Sequence, residues 1–449
     1  MQTIPETRYA KTVDGVHIAY QVFGEGPVDM VFSFGEVSSV DQMWSLPEMA
    51  DLMRRLSLFS RVIAFDPRGN GSSDRDLGTS SFETGMDDIR AVMDAAGSER
   101  ALQFGQQDGG MTCALFAASF PERTSGLILL NSSASQRWAP DFPGGWKEEE
   151  WEAYVSKVAE GWGTIAHAEE HLRLLAPNHP LDRATIVRFA RYFRSSGSPG
   201  SMMALDRKLR DYDVRAILPT IQVPTLVMHA TDSQFDQIWT GRYNAERIPG
   251  ATLVELQTDE YVPFWAAADA VVDNVERFAK RIRDDEVELD RVLATVLFTD
   301  IVDSTAQSAA IGDRAWTDVR AQHDQIVRAN LGRFRGREIK TMGDGFLATF
   351  DGPARGVRCA EAIVTAVRPL GIEIRAGLHT GEVALEGDDV AGIGVAIGAR
   401  VGAKAGASEV LVSQTVKDLV AGSGLVFEDA GEHELKGVPD RWHLYRVVR

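Results

Sequence analysis

Four short apolar runs limit what the first half of this chain can fold into. Arg61-Val-Ile-Ala-Phe, Ala101-Leu-Gln-Phe, Gly126-Leu-Ile-Leu-Leu and Thr225-Leu-Val-Met lack the polar alternation of half-exposed strands, and helix-like stretches separate them. Strands read this way when crossover helices bury both faces of a parallel sheet. An α/β domain with a mostly parallel sheet is therefore expected. Between about Ala139 and Leu218 the strand signal disappears, and Trp138, Trp146, Trp151 and Trp162 stand among charged residues at helical spacing. That segment, about 139–218, reads as a helical insertion forming a cap.

The chain has 449 residues, too many for one core of ordinary size. A second break falls at Arg281-Ile-Arg-Asp-Asp-Glu-Val-Glu-Leu-Asp-Arg, which is charged and free of Gly and Pro. It reads as a short linker in which nothing opposes a helix. The expected division is 1–280, a linker at 281–290, and a second domain at 291–449. The second domain opens with the strand Val292-Leu-Ala-Thr-Val-Leu-Phe. A long helix pattern runs from there to about Phe334, followed by a hairpin around Met342-Gly-Asp-Gly, another helix and further strands. This is an α+β order with its own core.

Forty-seven Lys and Arg against 65 Asp and Glu leave a net charge of −18. So acidic a surface repels phosphate backbones and anionic lipid, so neither nucleic acid nor a membrane is expected as a partner. No apolar run approaches the roughly 20 residues that span a bilayer, and the polar start from Met1 to Lys11 has no signal core, so a cytoplasmic protein is expected. Cys113 and Cys359 are the two cysteines, far apart and outside any metal-ligand spacing. They read as reduced thiols.

The turn Ala64-Phe-Asp66-Pro-Arg-Gly69-Asn-Gly71-Ser-Ser-Asp, the strand before Phe34-Gly35, Pro121-Glu-Arg before the strand Gly126 to Leu130, and Val223-Pro-Thr-Leu-Val resemble the α/β-hydrolases over residues 5 to about 280. That family carries its nucleophile on a G-x-S-x-G elbow, where small neighbours tolerate a strained backbone. Here the elbow reads Gly105-Gln-Gln107-Asp-Gly109, and an amide cannot attack a carbonyl. The resemblance places a basic His in the loop after the last strand, but Leu256-Gln-Thr-Asp-Glu260-Tyr-Val-Pro-Phe has none, and Glu260 stands at its position. Asp232, Ser233 and Asp236 all lie near the place of the acid. Asp108 as an alternative nucleophile would put the bulky Gln106 at a small-residue position of the elbow. His229 reads as a polar strand-end residue. An inert hydrolase fold is expected, whose pocket under the Trp-bearing cap binds a small apolar ligand. The rival is a working esterase-like hydrolase with an unusual nucleophile.

The second domain carries the stronger chemistry. Phe298-Thr-Asp300-Ile ends a strand, and Lys340-Thr-Met-Gly-Asp344-Gly sits in a hairpin. If the hairpin pairs beside that strand, two carboxylates converge, which suits a hard divalent cation that keeps waters and nucleotide phosphates as its other ligands. Taken singly, Asp300 reads as a helix cap and Asp344 as a turn residue. The ordered set is more specific. With Ile374-Arg375-Ala-Gly-Leu-His-Thr-Gly381-Glu, Asp389-Val-Ala-Gly, Gly398-Ala-Arg400-Val and Glu434-Leu-Lys436-Gly, it resembles the class III nucleotide cyclases over about Arg291 to Tyr445.

The resemblance implies an α+β ferredoxin-like fold and an adenylate cyclase. It implies that Asp300 and Asp344 bind two Mg²⁺ or Mn²⁺ ions, that Arg375 and Lys436 hold the triphosphate, and that Lys340 and Asp389 read the purine edge. Adenine offers a ring acceptor to Lys340 and an amino donor to Asp389, whereas guanine would turn O6 toward a repelling carboxylate. ATP is therefore the expected substrate, with Arg400 offsetting charge on the transferring phosphoryl group. One departure stands out. Family members carry an Asn seven residues after the purine-reading Asp and four before the Arg, and that position holds Ala396. Slow cyclisation is expected, with a non-catalytic nucleotide sensor as the rival. The resemblance also implies a homodimer, because the two sides of each site come from facing domains.

Overall fold

Helical crossovers of the first half produce the sheet that its apolar runs require. In a computed structural model describing residues 4–35, 37–75, 83–262, 264–289, 291–387 and 389–448, the chain forms two compact units, Met1–Arg283 and Asp284–Arg449. Unit one contains strands β1 (Arg8–Lys11), β2 (His17–Phe23), β3 (Val28–Ser33), β4 (Ser60–Phe65), β5 (Ala101–Gln106), β6 (Thr124–Leu130), β7 (Thr225–Ala230) and β8 (Thr252–Leu256). They are ordered β1-β2-β4-β3-β5-β6-β7-β8. The first two pairings, β1 with β2 and β2 with β4, are antiparallel, and every later pairing is parallel.

Every residue of β5, β6 and β7 is buried, as the continuous apolar runs require. One core lies on each face of the sheet. Between β6 and β7 the chain leaves the sheet and builds four helices, Glu148–Gly161, Ile165–Leu175, Arg183–Ser196 and Pro199–Leu209. Asp66 ends β4's extension as a buried carboxylate that accepts from Ser38 Oγ at 2.6 Å, Val40 N at 2.8 Å and Ser72 N at 2.9 Å. Only glycine fits beside it: a Cβ on Gly71, at φ 53°, would lie 2.0 Å from Asp66 Oδ2.

The segment expected as a linker belongs to a helix. Ala268–Leu289 continues without interruption because no Gly or Pro breaks it, and Arg291 opens the next strand. Residues 1, 290 and 449, where expected domain bounds fall, lie outside the described residues.

Unit two contains β9 (Arg291–Ile301), β10 (Arg337–Met342), β11 (Gly345–Phe350), β12 (Ile374–Glu386), β13 (Asp389–Ala391), β14 (Val410–Ser413), β15 (Val426–Glu434) and β16 (Arg441–Val448). The order is β10-β11-β9-β12-β14-β16-β15, with β13 against β12. All pairings are antiparallel except β12 with β14. Helices Asp313–Arg333 and Pro353–Ala366 cover one face. Ile393–Lys404 covers the other and crosses β12 so closely that a Cβ on Gly377 would lie 2.0 Å from Gly402 N. The long helix expected up to Phe334 is two helices, Ser304–Ile311 and Asp313–Arg333, because Gly312 at φ 86° turns the backbone between them. Among the described residues, no helix is long and apolar enough to cross a membrane.

Candidate functional site

In unit one, β5 meets the helix Gly109–Ser119 across two residues, Gln107 and Asp108. Gln107 has φ 54°, a strained value for a side-chain-bearing residue. The turn closes through Gln107 N donating to Leu130 O and Gly110 N donating to Gln107 O, both at 3.0 Å. Its neighbours have no room for side chains: a Cβ on Gly105 would lie 2.3 Å from Gly110 Cα, and one on Gly109 2.4 Å from Phe34 O. Gln107 thus stands at the apex where a nucleophile elbow carries its reagent. Asp108 follows it as the helix cap residue, in right-handed conformation, and accepts from Gln136 Nε2 at 3.3 Å.

Among the candidates for the late acid, Ser233 and Asp236 are buried, and Asp236 is the buried carboxylate. Burial pushes its carboxyl up to about 6 against an opposing hydrogen bond from Tyr261. The Tyr261 hydroxyl donates to Asp236 Oδ2 at 2.9 Å. Glu260 Oε1 lies 3.2 Å from His179 Nδ1 and its Oε2 accepts from Ala266 N at 2.6 Å, so it is Tyr261, the next residue, and not Glu260 that bonds Asp236. Asp232 accepts from Thr231 Oγ1 and Ser233 from Phe235 N. His229 is buried in β7 with Nε2 3.2 Å from Asp236 O, and burial pushes it down to about 4.

Gln107, Asp108 and Tyr261 border a cavity walled by aromatic rings, among them Trp146, Trp151, Tyr154 and Phe193 from the cap and Phe235 and Phe264 from the sheet side. Of the cap tryptophans, Trp138 is exposed, and Trp162 is a structural post that donates Nε1 to Phe193 O and Gly197 O. His171, which sequence reading missed, also lines the cavity; burial pushes it down to about 4, so it is neutral at pH 7. Its place beside Ala168, Leu172 and Leu175 on the buried face of its helix was the available signal.

In unit two, the six polar candidates outside the hairpin turn form three doublets. Asp300 and Arg375 face each other in the β9–β12 ladder, and Arg375 donates to Asp300 Oδ2 through Nε at 3.0 Å and through a terminal nitrogen. Lys340 Nζ donates to Asp389 Oδ2 at 2.5 Å, joining β10 to the β12–β13 tongue. That bond, with Val390 N on the other oxygen, holds the Asp389 carboxyl below its ordinary range. Arg400 Nε donates to Lys436 O at 3.0 Å, leaving the Lys436 ammonium uninvolved in that contact. Ala396 is exposed on the same helix as Arg400, one turn earlier.

Asp344 occupies the β10–β11 turn beside Gly343 at φ 74°. β11 pairs with β9, Phe346 opposite Thr299, so the turn lies beside the end of β9 that carries Asp300. A Cβ on Gly345 would come within 2.5 Å of Thr299 O and 3.6 Å of Asp300 Oδ1. Asp344 Oδ2 is buried without a hydrogen-bond partner, a costly state for a carboxylate unless a cation or water meets it. Among the described residues, no group of three or more His, Cys, Asp or Glu forms a protein metal cage. Two neighbouring carboxylates suit an ion whose remaining ligands are waters and phosphates, so the residues present fit Mg²⁺ or Mn²⁺.

Residues 45–267 match the family described as alpha/beta hydrolase fold, and residues 288–448 match the adenylate and guanylate cyclase catalytic domain. The chain therefore carries an α/β-hydrolase-fold domain followed by a class III adenylate/guanylate cyclase catalytic domain. Over 249 residues it is 24% identical to 3-oxoadipate enol-lactonase 2 of Acinetobacter baylyi, covering 55% of this chain and 87% of that protein. Over 164 residues it is 29% identical to a Rhizobium meliloti protein named "Putative adenylate cyclase 3", covering 34% of this chain and only 28% of that protein's length. Among solved structures, the enol-lactonase from Burkholderia xenovorans LB400 superposes with a TM-score of 0.52 at 26% identity, over 61% of this chain and 100% of that one. An esterase from Exiguobacterium antarcticum, at TM-score 0.55 and 19% identity over 61% of this chain and 100% of its own, shares the fold.

Proposed function

We propose that this protein is an adenylate cyclase, converting ATP to cyclic AMP and pyrophosphate at composite sites of a homodimer, with the hydrolase-fold domain as a ligand-binding regulator. The observation that carries the reading is the Lys340–Asp389 doublet, a preformed donor and acceptor pair joining two strands. It complements the ring nitrogen and amino group of adenine and opposes the O6 of guanine. In this reading, Asp300 and Asp344 hold two Mg²⁺ or Mn²⁺ ions. When bound, such ions draw charge from the phosphates and lower the pKa of the ribose 3′ hydroxyl.

Arg375, bonded to Asp300 in this structure, would turn to the triphosphate where that carboxylate held a cation. Lys436 supplies a second cation to the phosphates. Arg400, oriented by the Lys436 carbonyl, meets charge on the α-phosphoryl group as the 3′ oxygen attacks. The Lys340–Asp389 doublet of one protomer serves the Asp300–Asp344 side of its partner, so activity requires two chains.

The first domain is proposed to be inert toward esters, because Gln107 has no nucleophilic atom and Tyr261 stands where a base would. Its aromatic cavity accommodates a small apolar ligand whose binding biases dimerisation of the cyclase domains. The deciding experiment measures cyclic AMP formed from ATP and Mn²⁺ by the full-length protein over a range of protein concentrations, with Asp300→Ala as control. Product that rises faster than linearly with protein and vanishes in the control supports the reading. ATP binding without product, in line with Ala396, makes the chain a nucleotide sensor instead.

A further inference from the structure

His323 lies on the helix Asp313–Arg333 and is fully buried, at 0% exposure. Its Nδ1 is 3.1 Å from Asp324 Oδ1. A carboxylate only accepts, so Nδ1 carries the ring proton, and burial favours the neutral ring. Nε2 is then a lone-pair acceptor, and it is buried without a partner.

Two further buried polar atoms without partners are Thr299 Oγ1 and Asp344 Oδ2. Thr299 sits opposite Phe346 in the β9–β11 ladder, so their side chains share one face of the sheet. The Phe346 ring meets the His323 ring on that face, with centroids 5.8 Å apart. Asp344 precedes Phe346 by two residues, and its charge bears on the His323 ring. Phe346 thus connects the residues that carry three orphaned atoms: two acceptors, His323 Nε2 and Asp344 Oδ2, and one hydroxyl, Thr299 Oγ1.

Two acceptors cannot bond each other. A single water can satisfy all three groups, donating to His323 Nε2 and Asp344 Oδ2 and accepting from Thr299 Oγ1, and three bonds are the usual complement of a buried water. We propose that a buried water links Asp344 to His323 and Thr299, making these two positioning residues that orient the Asp344 carboxylate toward its cation. The inference rests on the cyclase reading of Asp344. Residues that orient metal ligands from behind have large effects on metal affinity.

The test titrates Mn²⁺ alone against the full-length chain by electron paramagnetic resonance, with thermal unfolding recorded for every variant. Thr299→Val and His323→Leu are each expected to weaken Mn²⁺ binding on the order of 10-fold. Thr299→Ser, which keeps the hydroxyl, is expected to recover most of the affinity lost in Thr299→Val. Combining Thr299→Val with His323→Leu should be little worse than the weaker single variant, because both remove the same water. If His323→Leu does not fold, Thr299→Val, nearly unchanged in shape, decides alone. Unchanged Mn²⁺ affinity in Thr299→Val, while Asp344→Ala abolishes binding, overturns the water link and leaves the cyclase reading standing. Absence of any Asp344-dependent Mn²⁺ binding in the unmodified chain overturns both.

Discussion

The Tyr261 hydroxyl donates to Asp236 Oδ2 across 2.9 Å, so the buried carboxylate among the late-acid candidates of the hydrolase-fold domain is bonded to a phenol. A neutral phenol oxygen is far too weak a base to take a serine proton. Gln107→Ser alone should therefore leave hydrolysis of p-nitrophenyl acetate at background. Adding Tyr261→His restores a general base beside its acid, and the expected gain is on the order of 10²-fold. Turnover by the unmodified chain, or by Gln107→Ser alone, would show that the site uses other chemistry.

Asp236 also sets a pH dependence. Its carboxyl, pushed up to about 6 by burial, keeps a proton that the unfolded chain releases near the ordinary value of 3.8. The stabilisation tied to that proton is whole below about pH 4 and is lost as pH rises through about 6, amounting to roughly 3 kcal/mol. Relative to Asp236→Asn, the unmodified domain should lose stability over this interval in urea unfolding followed by tryptophan fluorescence. Asp66, likewise pushed up to about 6 by burial, is present in both proteins and cancels in the comparison. Parallel pH profiles for the two would show that Asp236 titrates normally.

Ala396 has no side-chain donor to offer the reacting phosphates. Ala396→Asn should raise the rate of cyclic AMP formation by about 10²- to 10³-fold while leaving ATP affinity within a few-fold. A rate that does not move would mean that another group already supplies the hydrogen bond.

In the proposed cyclase reading, base choice rests on the Lys340–Asp389 doublet. Asp389→Ala should cut the preference for ATP over GTP by roughly 10- to 100-fold, the usual worth of a paired reading of a base edge. The ratio of kcat/KM for the two nucleotides measures this directly. Equal discrimination in both proteins would place purine recognition elsewhere.

The elbow was legible in the chain because glycine spacing at Gly105 and Gly109 reports backbone crowding, which is a local property. The three polar doublets of the cyclase domain were legible as ordered motifs but not as partners, since Asp300 meets Arg375 only through the β9–β12 register. Tyr261 was missed for a similar reason: neighbouring residues in an irregular loop point in directions that spacing does not fix. His323, Val327 and Leu331 recur at every fourth position on one buried helix face, a spacing that core residues share, so the sequence does not set His323 apart. Its unsatisfied nitrogen depends on the hairpin strand that carries Phe346 packing against that face, a contact between residues distant in sequence.

The left-handed turn at Gln107 is held by what its glycine neighbours touch, not by the residue at its apex. Such a turn is a socket. Exchanging the apex side chain changes what the turn presents to the cavity while the glycine contacts that hold it stay in place, so one residue separates a fold that carries a nucleophile from one that does not.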